Sequence, residues 1–281
     1  INSVLNIPNF KYRSDIGFKK NITYKNSGVD IDYSNSIVRD MMISIKTTLN
    51  NSCLHKQGDY SGIVEIPKKF KNPVLISSID GVGTKPNFMK LYVKNCYSII
   101  GQDIVAHSIN DILVKGAEPF YFLDYIATEK LDKQNILDVI DGMCYLCRKY
   151  KCPLIGGETA EMPNIYKKNE IDVVGCITGI AEKDKIINGK ENIELNDHVI
   201  GLYSHGLHTN GFSLIRKIFK NKHLHSDFIK WICQPHKCYY DEIKLLENIE
   251  INGLVHITGG GLIDNPKRVL SNDKCMNIYK E

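Results

Sequence analysis

The chain has 281 residues, 43% of them hydrophobic and 24% charged, and a formal net charge of +4. This length predicts one large domain or two, and the composition is ordinary for a globular protein with an apolar core. The 36 Lys and Arg residues are scattered rather than gathered into a basic stripe, which argues against nucleic-acid and membrane-surface binding. No apolar run approaches the roughly 20 residues that would span a bilayer.

Cysteine usage and the first residues both predict a cytoplasmic protein. The nine cysteines are odd in number and irregular in spacing, which argues against a disulfide framework. Cys144 and Cys147 form a CxxC followed by Cys152, but the pair falls inside a helical pattern and no second CxxC or HxxxH follows. We expect ordinary thiols in a reducing cytosol, with zinc or redox use as the alternative. Residues 1–23 have no apolar h-region and thus no secretory signal, and the start at Ile1 suggests trimming or processing.

The segment 24–32, YKNSGVDID, follows an N-terminal arm without periodicity. Asp30 and Asp32 alternate with apolar residues there, so in a strand both side chains would point to one face. The alternative is a turn that caps a helix beginning near Ser34. The apolar side of that helix would comprise Ile37, Met41, Met42 and Ile45.

After a polar loop at 58–62 and a short predicted strand at 63–66, the stretch 77–85 is a candidate phosphate and metal site. The apolar run 73–76 predicts a buried strand that leads into it. The loop carries Asp80, Gly81, Gly83, Thr84 and Lys85. An Asp can hold a divalent cation, glycines let backbone amides approach phosphate, and a Lys adds positive charge. The alternative is a tight turn with a solvated Lys, because the stretch matches neither a Walker A loop nor a dinucleotide fingerprint.

Residues 99–116 predict a helix with an unusual polar stripe. One face comprises Val105, Ile109, Ile112, Leu113 and Gly116, and the other comprises Asp103, His107, Asn110 and Asp111. A polar stripe is usually the solvated face of a helix. Asp and Asn are poor residues for that purpose, since both disfavour helix interiors. We therefore favour a functional stripe that holds metal or phosphate-bound water.

The rest of the first half alternates strands and helices. The pattern predicts strands at 119–127, 153–155 and 171–181, with a helix capped by Asp132 between the first two. The first of these strands is apolar on both faces, which is typical of a sheet centre, except at Asp124. That carboxylate is either satisfied by a neighbouring loop or part of a site. The strand at 153–155 runs into GGETAEMP at 156–163, a second strand end with glycines and carboxylates.

A polar segment at 182–197 predicts the boundary to a second domain. Beyond it, strands are expected at 198–202 and 253–257, and helices at 212–220, in two pieces of 224–248 broken at Pro235, and from Leu262. Each predicted strand runs into a polar, glycine-bearing loop, at 204–211 and 258–261. The three glycines at 259–261 can present backbone amides to an anion.

Seven motifs in order resemble one family. They are YKNSGVDID, SSIDGVGTK, IGQDIVAHSINDILVKGAEP, LDYIAT, GGETAEMP, HGLHTNGFSLIRKI and HITGGG, and they cover about residues 24–270. The set is similar to phosphoribosylformylglycinamidine cyclo-ligases, which make aminoimidazole ribonucleotide in purine synthesis. The resemblance implies an α/β fold of the α+β type with two domains. The mixed sheet of the first domain, with flanking helices, would pair into a barrel across a homodimer, and the second domain would be a sheet with helices.

The resemblance also implies boundaries and cofactors. It implies an arm at 1–23, an ATP- and metal-binding dimerisation domain at 24–182, and a substrate-facing domain at 183–281. ATP and Mg²⁺ would be required, with K⁺ as a further cation that the resemblance allows. The chain ends soon after Val269, where relatives continue, and it has fewer glycines at 58–62 than they do. We therefore expect a shortened second domain and a different cover over ATP.

Site roles carry over residue by residue. ATP and phosphate contacts are implied for Lys25, Asp80, Gly81, Gly83, Thr84, Asn110, Gly156 and Gly157. Metal contacts are implied for Asp30, Asp32, Asp80, Asp103, Asp111, Glu158 and Glu161. Substrate contacts are implied for Thr159, His208, Asn210, Thr258, Gly259, Gly260 and Gly261. Catalytic roles fall on Asp111, His208 and Lys85, with the general base open between Asp111 and His208.

Two other functions remain as alternatives. One is a sister kinase of the same superfamily that phosphorylates a small metabolite such as thiamine phosphate or selenide. A selenide enzyme would need a reactive Cys or selenocysteine near the N-terminus, whereas the first cysteine here is Cys53. The other is a non-catalytic module that senses nucleotide or ribotide. Retention of so many carboxylates argues against it, because buried carboxylates without a cation are costly.

Overall fold

A computed structural model of the protein describes residues 30–55, 58–220 and 222–279. Four strands form there: β1 (Pro73–Gly81), β2 (Glu118–Thr128), β3 (Leu154–Glu161) and β4 (Ile171–Glu182). The helices are α1 (Ile31–Lys46), α2 (Lys85–Tyr92), α3 (Tyr97–Leu113), α4 (Lys133–Lys149), α5 (Gly189–Asn192), α6 (Phe212–Ile218), α7 (Ser226–Ile232), α8 (Tyr240–Leu245) and α9 (Gly261–Asp264), with 3₁₀ turns at Lys183–Lys185 and Pro266–Arg268. Within these residues, no helix is both long and apolar enough to cross a bilayer.

The four strands form one mixed sheet in the order β1-β4-β2-β3. β2 and β3 are parallel, whereas β4 is antiparallel to both β1 and β2. One row of the register runs from Asp80 through Gly175 and Asp124 to Gly157. The mixed sheet with flanking helices that was predicted for the first domain is confirmed.

The core lies on one face of this sheet, beneath α3 and α4. Strand residues that alternate along the chain, such as Phe122 and Ile126, are fully buried in that layer. On the opposite face, Leu75 and Ile79 of β1 are 52% and 70% exposed. β1 is therefore an edge strand with one open face, and not the buried strand that its apolar run predicted.

Helices α3 and α4 approach each other closely at two glycines. A Cβ at Gly101 would lie 1.9 Å from the Val139 carbonyl oxygen, and a Cβ at Gly142 would lie 2.0 Å from the Ser98 carbonyl oxygen. Both obstacles are backbone atoms, so any side chain would push the helices apart. The helix pair that carries the polar stripe is thus positioned by backbone contact.

We expect Gly142→Ala to lower the free energy of unfolding by about 1–3 kcal/mol, because overpacking outweighs the gain in helix propensity. Urea denaturation measures this effect. Gly201→Ala is the matched control: a Cβ there meets nothing within 4 Å, so the change should stay within about 0.5 kcal/mol. Equal stability of the two variants would contradict the close helix contact.

The thiols of the CxxC lie in the core. Cys144, Cys147 and Cys152 are all buried. Burial raises the pKa of Cys144 to about 12 and that of Cys147 well above its usual range. Such thiols stay protonated and are poor nucleophiles and poor metal ligands, which favours the prediction of ordinary thiols.

Several predicted elements have different bounds from those observed. β1 continues through Asp80 to Gly81, and β3 continues to Glu161. The predicted loops therefore begin only after Gly81 and Glu161, because the glycine and carboxylate residues before these points pair with neighbouring strands. The residues at 63–66 make only an isolated bridge between Cys53 and Val64.

The strands predicted for the second half are also wrong. In the described residues after Glu182, no strand is assigned, and 198–202 and 253–257 are irregular. A strand needs a hydrogen-bonded neighbour, and neither segment has one there. Several apolar side chains of the first segment are consequently exposed, including Ile200. The helices at 212–220 and on either side of Pro235 are confirmed in position.

The N-terminal prediction is resolved in favour of a helix cap. Asp30 lies at the N-cap of α1, where its Oδ1 accepts a hydrogen bond from the backbone N–H of Tyr33. Asp32 lies in the exposed first turn of that helix. The alternative that both carboxylates share a strand face was therefore wrong. Lys25 and the arm at 1–23 lie outside the described residues.

Candidate functional site

The polar stripe of α3 is covered by the second half of the chain. Asp103 is fully buried, while His107 and Asn110 are 2% and 3% exposed. In the second half of the chain, their side chains contact Thr209, His256 and residues 236–239. The stripe is therefore not a solvated helix face. It lies at the contact between α3 and the second half of the chain, after Glu182. We call this contact region the α3 seam.

A buried ion pair lies at the end of the α3 seam that is nearest the N-terminus of α3. The Lys85 amine lies 2.8 Å from Asp103 Oδ2, and both side chains are completely buried. The amine also donates a 2.8 Å hydrogen bond to the Gln234 carbonyl oxygen. Asp103 Oδ1 accepts a 2.7 Å hydrogen bond from the backbone N–H of His236. Lys85 thus occupies the place beside Asp103 that a bound cation would take.

Asn110 also fastens the 234–239 segment to α3. Its Nδ2 donates to the Lys237 carbonyl oxygen at 2.8 Å, and its Oδ1 accepts from the backbone N–H of Tyr239 at 2.9 Å. The amide uses both a donor and an acceptor on backbone groups of one segment. Such contacts are typical of a residue with a structural role. They do not test the predicted contact of Asn110 with phosphate, which stays a prediction.

Asp80 and His107 meet at the end of β1. Asp80 Oδ2 lies 2.8 Å from His107 Nε2, and Asp80 Oδ1 accepts from the backbone N–H of Gly81 at 2.7 Å. The nearby imidazole holds the pKa of Asp80 below its ordinary value. Because the Asp80 side chain is 50% exposed, this carboxylate faces solvent and is accessible to a ligand.

Asp111 lies beside this pair. Its Oδ1 accepts a 2.8 Å hydrogen bond from His256 Nδ1, and its Oδ2 accepts a 2.8 Å hydrogen bond from the Ser78 hydroxyl. Burial raises the pKa of Asp111, but the two hydrogen bonds outweigh that effect and the net shift is downward. Asp111 is therefore ionised at neutral pH. Through Ser78 and His256 it links α3 to β1 and to the second half of the chain.

Four histidines pack together at the centre of the α3 seam. The ring centroids of His107 and His256 are 5.1 Å apart, those of His107 and His236 are 5.2 Å apart, and His208 stacks on His236 at 4.1 Å. The hydroxyl of Thr209 lies 2.9 Å from His107 Nδ1 and 3.5 Å from His236 Nδ1. Two carboxylates and four imidazoles thus form one connected polar cluster.

Two of these histidines are kept neutral. Burial lowers the pKa of His208 to about 4, with nearby His256 contributing. Burial also lowers the pKa of His236 well below its ordinary value. At neutral pH both rings are uncharged, so each can accept or donate a hydrogen bond without a repulsive charge. The His208 Nε2 already accepts from the backbone N–H of His205.

We expect acid to destabilise the protein through His208. Between pH 6.5 and 4 the unfolded chain binds a proton at this residue and the folded chain does not, so stability falls as pH falls. The loss amounts to about 3 kcal/mol for a pKa that drops from about 6.5 to about 4. His208→Asn, which tolerates the observed φ of 54°, should remove this component. Urea denaturation at pH 7 and pH 4.5 measures it, and identical pH dependence in both proteins would contradict it.

The predicted phosphate loop lies against the second half. Gly83 has a φ of 60°, and a Cβ there would lie 3.6 Å from the Thr209 carbonyl oxygen. The hydroxyls of Thr84 and Ser213 are 2.9 Å apart. The left-handed conformation at Gly83 turns the chain from β1 into α2 at the edge of the cluster. The loop therefore borders the polar cluster.

The two glycine-bearing loops of the second half lie side by side. A Cβ at Gly259 would be 3.3 Å from Asn210 Oδ1. Thr258 is fixed by Asn265, whose Oδ1 accepts from the Thr258 backbone N–H at 3.0 Å. Gly260 and Gly261 begin the short α9, and Gly261 has a φ of 58°. The predicted substrate residues of this half are thus neighbours.

The residues of β3 lie apart from the cluster. Glu158 is exposed on the strand farthest from β1, three strand spacings or roughly 14 Å away. Glu161 accepts hydrogen bonds from the backbone N–H groups of Leu131 and Asp30. In this chain the structure brings Asp80 and Asp111 together, but it does not bring either glutamate to them.

Asp124 faces the core beside β3. A Cβ at Gly157 would lie 2.1 Å from Asp124 Oδ1, so this carboxyl group fits only opposite a glycine. Burial raises the pKa of Asp124 to about 7, and the charge of Glu158 adds to the shift. Gly156 lies against Leu123, and the Thr159 hydroxyl faces the Met41 sulfur at 3.9 Å. None of these contacts reaches the cluster.

Sequence reasoning missed part of the cluster. His236 carried no motif signal, because it stands outside every recognised motif and its hydrogen-bond partner Asp103 lies 133 positions away. Ser78 stood inside SSIDGVGTK but was not chosen as a site residue. His256 and Thr209 stood inside the recognised motifs HITGGG and HGLHTNGF, next to residues that were chosen. His107 was on the polar stripe. The position of His256 just before the glycine-bearing loop 258–261 was the signal that could have identified it.

Comparisons with known proteins agree on one family. The model of the N-terminal domain of AIR synthase related proteins matches residues 58–181, and the model of the C-terminal domain matches residues 195–279. A phosphoribosylformylglycinamidine cyclo-ligase of Prochlorococcus marinus subsp. pastoris is 44% identical over 92% of this chain and 77% of its own. One from Clostridium perfringens is 43% identical over 90% of this chain and 76% of its own.

A solved structure shares the fold. HypE of E. coli superposes with a TM-score of 0.54 and 15% identity, over 81% of this chain and 66% of its own. At this identity the likeness concerns the fold alone.

Proposed function

This chain belongs to the phosphoribosylformylglycinamidine cyclo-ligase family, and from that premise we propose that it converts formylglycinamidine ribonucleotide into aminoimidazole ribonucleotide with ATP. The identity of 44% over 92% of the chain supports this function. The single structural observation that carries it is the cluster in which Asp80 and Asp111 share the imidazole of His107, at 2.8 and 3.9 Å. Two neighbouring carboxylates can hold a divalent cation, and such a cation neutralises the charge of the phosphates in an ATP-dependent reaction.

Ring closure requires the formyl oxygen to leave, and it is a poor leaving group. Transfer of the γ-phosphoryl group from ATP to that oxygen releases ADP and makes the oxygen part of a departing phosphate. The amidine-side nitrogen then bonds to the formyl carbon, the carbon–oxygen bond breaks, and the nitrogen loses a proton. This class of reaction depends mainly on positioning and charge neutralisation.

Asp80 and Asp111 are the residues we assign to Mg²⁺. Both offer carboxylate oxygens, which Mg²⁺ prefers, and their side chains are 50% and 26% exposed, so an ion can reach them. When bound, Mg²⁺ would neutralise phosphate charge. We leave Asp103 out of this set, because Lys85 already neutralises it. The expected contributions of Asp30, Asp32, Glu158 and Glu161 need a larger assembly or a rearrangement.

The remaining roles follow from position. Gly81, Gly83 and Thr84 border the cluster where phosphates would lie, and Asn210 with the loop 258–261 borders it from the other half. Asp111 is the more accessible of the two candidate bases. Its carboxylate is partly exposed, whereas His208 is 8% exposed and its Nε2 already accepts a hydrogen bond.

The test is turnover by the purified full-length protein. With ATP, Mg²⁺ and formylglycinamidine ribonucleotide, we expect aminoimidazole ribonucleotide, ADP and phosphate in equal amounts. Release of ADP with a phosphorylated metabolite and no imidazole would instead indicate a kinase. Binding of ATP without any turnover would indicate a non-catalytic module.

We also propose a homodimer in which the open faces of two sheets pack into a barrel. The exposed Leu75 and Ile79 support it, because apolar residues on an unpacked sheet face favour association. Ile79→Lys should shift the protein from dimer to monomer in analytical ultracentrifugation, while Thr47→Lys, on the exposed C-cap of α1, should not. A wild-type monomer at micromolar concentration would contradict the barrel.

A cytoplasmic location is part of this proposal. All nine cysteines are free thiols, which suits a reducing compartment.

A further inference from the structure

We propose that the α3 seam binds a transition-metal dication of the Zn²⁺ class through His107, Asp111 and His256, with Asp80 as a fourth ligand. Its imidazole ligands distinguish this site from the Mg²⁺ site assigned above, although both sites use Asp80 and Asp111. The inference rests on the proposed function in one respect, which is the expectation that the ion competes with Mg²⁺.

The donor atoms are already close together. One ligand atom from each of His107, Asp111 and His256 lies within 4.8 Å of the others. His107 Nε2 is 2.8 Å from Asp80 Oδ2 and 3.9 Å from Asp111 Oδ2. Around a tetrahedral Zn²⁺ with bonds of about 2.0–2.1 Å, donors are about 3.4 Å apart. The observed separations of 2.8 and 3.9 Å lie on either side of that spacing.

Unsatisfied nitrogen atoms supply an independent observation. His256 Nε2 is buried and has no hydrogen-bond partner in the described residues, and its side chain is only 7% exposed. His107 Nε2 is buried as well, and its 2.8 Å contact with Asp80 Oδ2 lacks hydrogen-bond geometry. Buried polar atoms without partners are costly. Coordination of an ion would use the lone pair of His256 Nε2, which the described part of the protein leaves without a partner.

The surrounding hydrogen bonds prepare His107 as a ligand. Its Nδ1 lies 2.9 Å from the Thr209 hydroxyl. When Nδ1 donates its proton there, the lone pair of Nε2 points towards the two carboxylates. That arrangement requires a positive charge between them, supplied by a proton or by a metal ion. A ligating histidine whose other nitrogen is held by a hydrogen bond is typical of metal sites.

The donor set selects the metal. Imidazole ligands suit Zn²⁺, Co²⁺ and Ni²⁺, whereas Mg²⁺ prefers oxygen ligands and keeps several waters. Two carboxylates neutralise one dication. Since His256 belongs to the second half and His107 to α3, the ion would join the two sides of the seam. It would also occupy Asp111, so we expect it to inhibit Mg²⁺-dependent turnover.

The experiment titrates Co²⁺ alone into the chelator-treated full chain. We expect visible d–d absorption of a tetrahedral site, saturation at one ion per chain, loss of the spectrum on addition of Zn²⁺, and a higher Tm. His256→Asn keeps an amide that can donate to Asp111 but removes the imidazole. It should weaken Co²⁺ binding at least about tenfold. His223→Gln, which changes an exposed imidazole, should leave the spectrum unchanged.

Folding of each variant is checked by circular dichroism without metal. If His256→Asn does not fold, His107→Asn replaces it, because its amide can keep the contact with Thr209. Wild-type protein without a saturable spectrum overturns the proposal. So does unchanged affinity in the folded ligand variant, or an intense thiolate charge-transfer band that places the ion at cysteines. Turnover without Co²⁺ binding would contradict only the proposed metal site. Co²⁺ binding without turnover would contradict only the proposed function.

Discussion

Replacing Asp111 with Asn is expected to lower kcat for aminoimidazole ribonucleotide formation by about 10²–10³-fold, the loss typical of one preorganised charge-stabilising group. The amide has the size of the carboxylate. It can still accept from His256 Nδ1 and can donate to the Ser78 hydroxyl, the two partners of Asp111. The variant should therefore fold normally, and the loss should come from the missing negative charge. Steady-state kinetics at saturating ATP and Mg²⁺ measures it.

Ser78→Ala is the matched control for this prediction. It removes one hydrogen bond to Asp111 Oδ2 and keeps the charge. We expect its kcat to fall less than that of Asp111→Asn, since a hydrogen bond to a charged group contributes about 1.5–3 kcal/mol and the carboxylate itself remains. Wild-type turnover by Asp111→Asn would mean that the polar stripe of α3 serves only to join the two halves of the chain.

Lys85→Met is expected to lower the free energy of unfolding by about 3–5 kcal/mol, the usual consequence of leaving one member of a buried ion pair alone. Asp103 is fully buried and would lose its cation. Burial already raises the pKa of Asp103, so in the variant this carboxyl group should take up a proton. The Gln234 carbonyl oxygen would also lose its donor. Urea denaturation at pH 7 measures the loss.

The double variant Lys85→Met with Asp103→Asn separates structure from ligand binding. The neutral amide can still accept from the backbone N–H of His236, so we expect most of the lost stability to return. Calorimetry with ATP on this variant then tests the predicted phosphate contact of Lys85. Unchanged nucleotide affinity would remove Lys85 from the ATP site, and a single variant as stable as wild type would contradict the buried pair.

Local patterns were sufficient for several first-half elements. The helix at 99–116, the strand at 119–127 and the Asp132 cap all appear where periodicity placed them, because such signals depend on residues a few positions apart. The family was also readable, since the ordered motifs carry it without any distance information. The strands predicted at 198–202 and 253–257 were wrong, because a strand exists only with a paired neighbour. The alternation of apolar residues in the sequence does not show whether such a neighbour is present.

What the sequence alone determined is the family and the mixed first-domain sheet. It also singled out Asp80 and Asp111, which the structure brings to the same imidazole. Only the tertiary structure decided that Lys85 faces Asp103 inside the protein, that Glu158 lies on the far edge strand, and that His236 joins three other histidines. Each of these depends on contacts between segments distant in the chain. Burial then determines whether a charge finds solvent, a ligand or an opposite charge, and no local pattern contains that information.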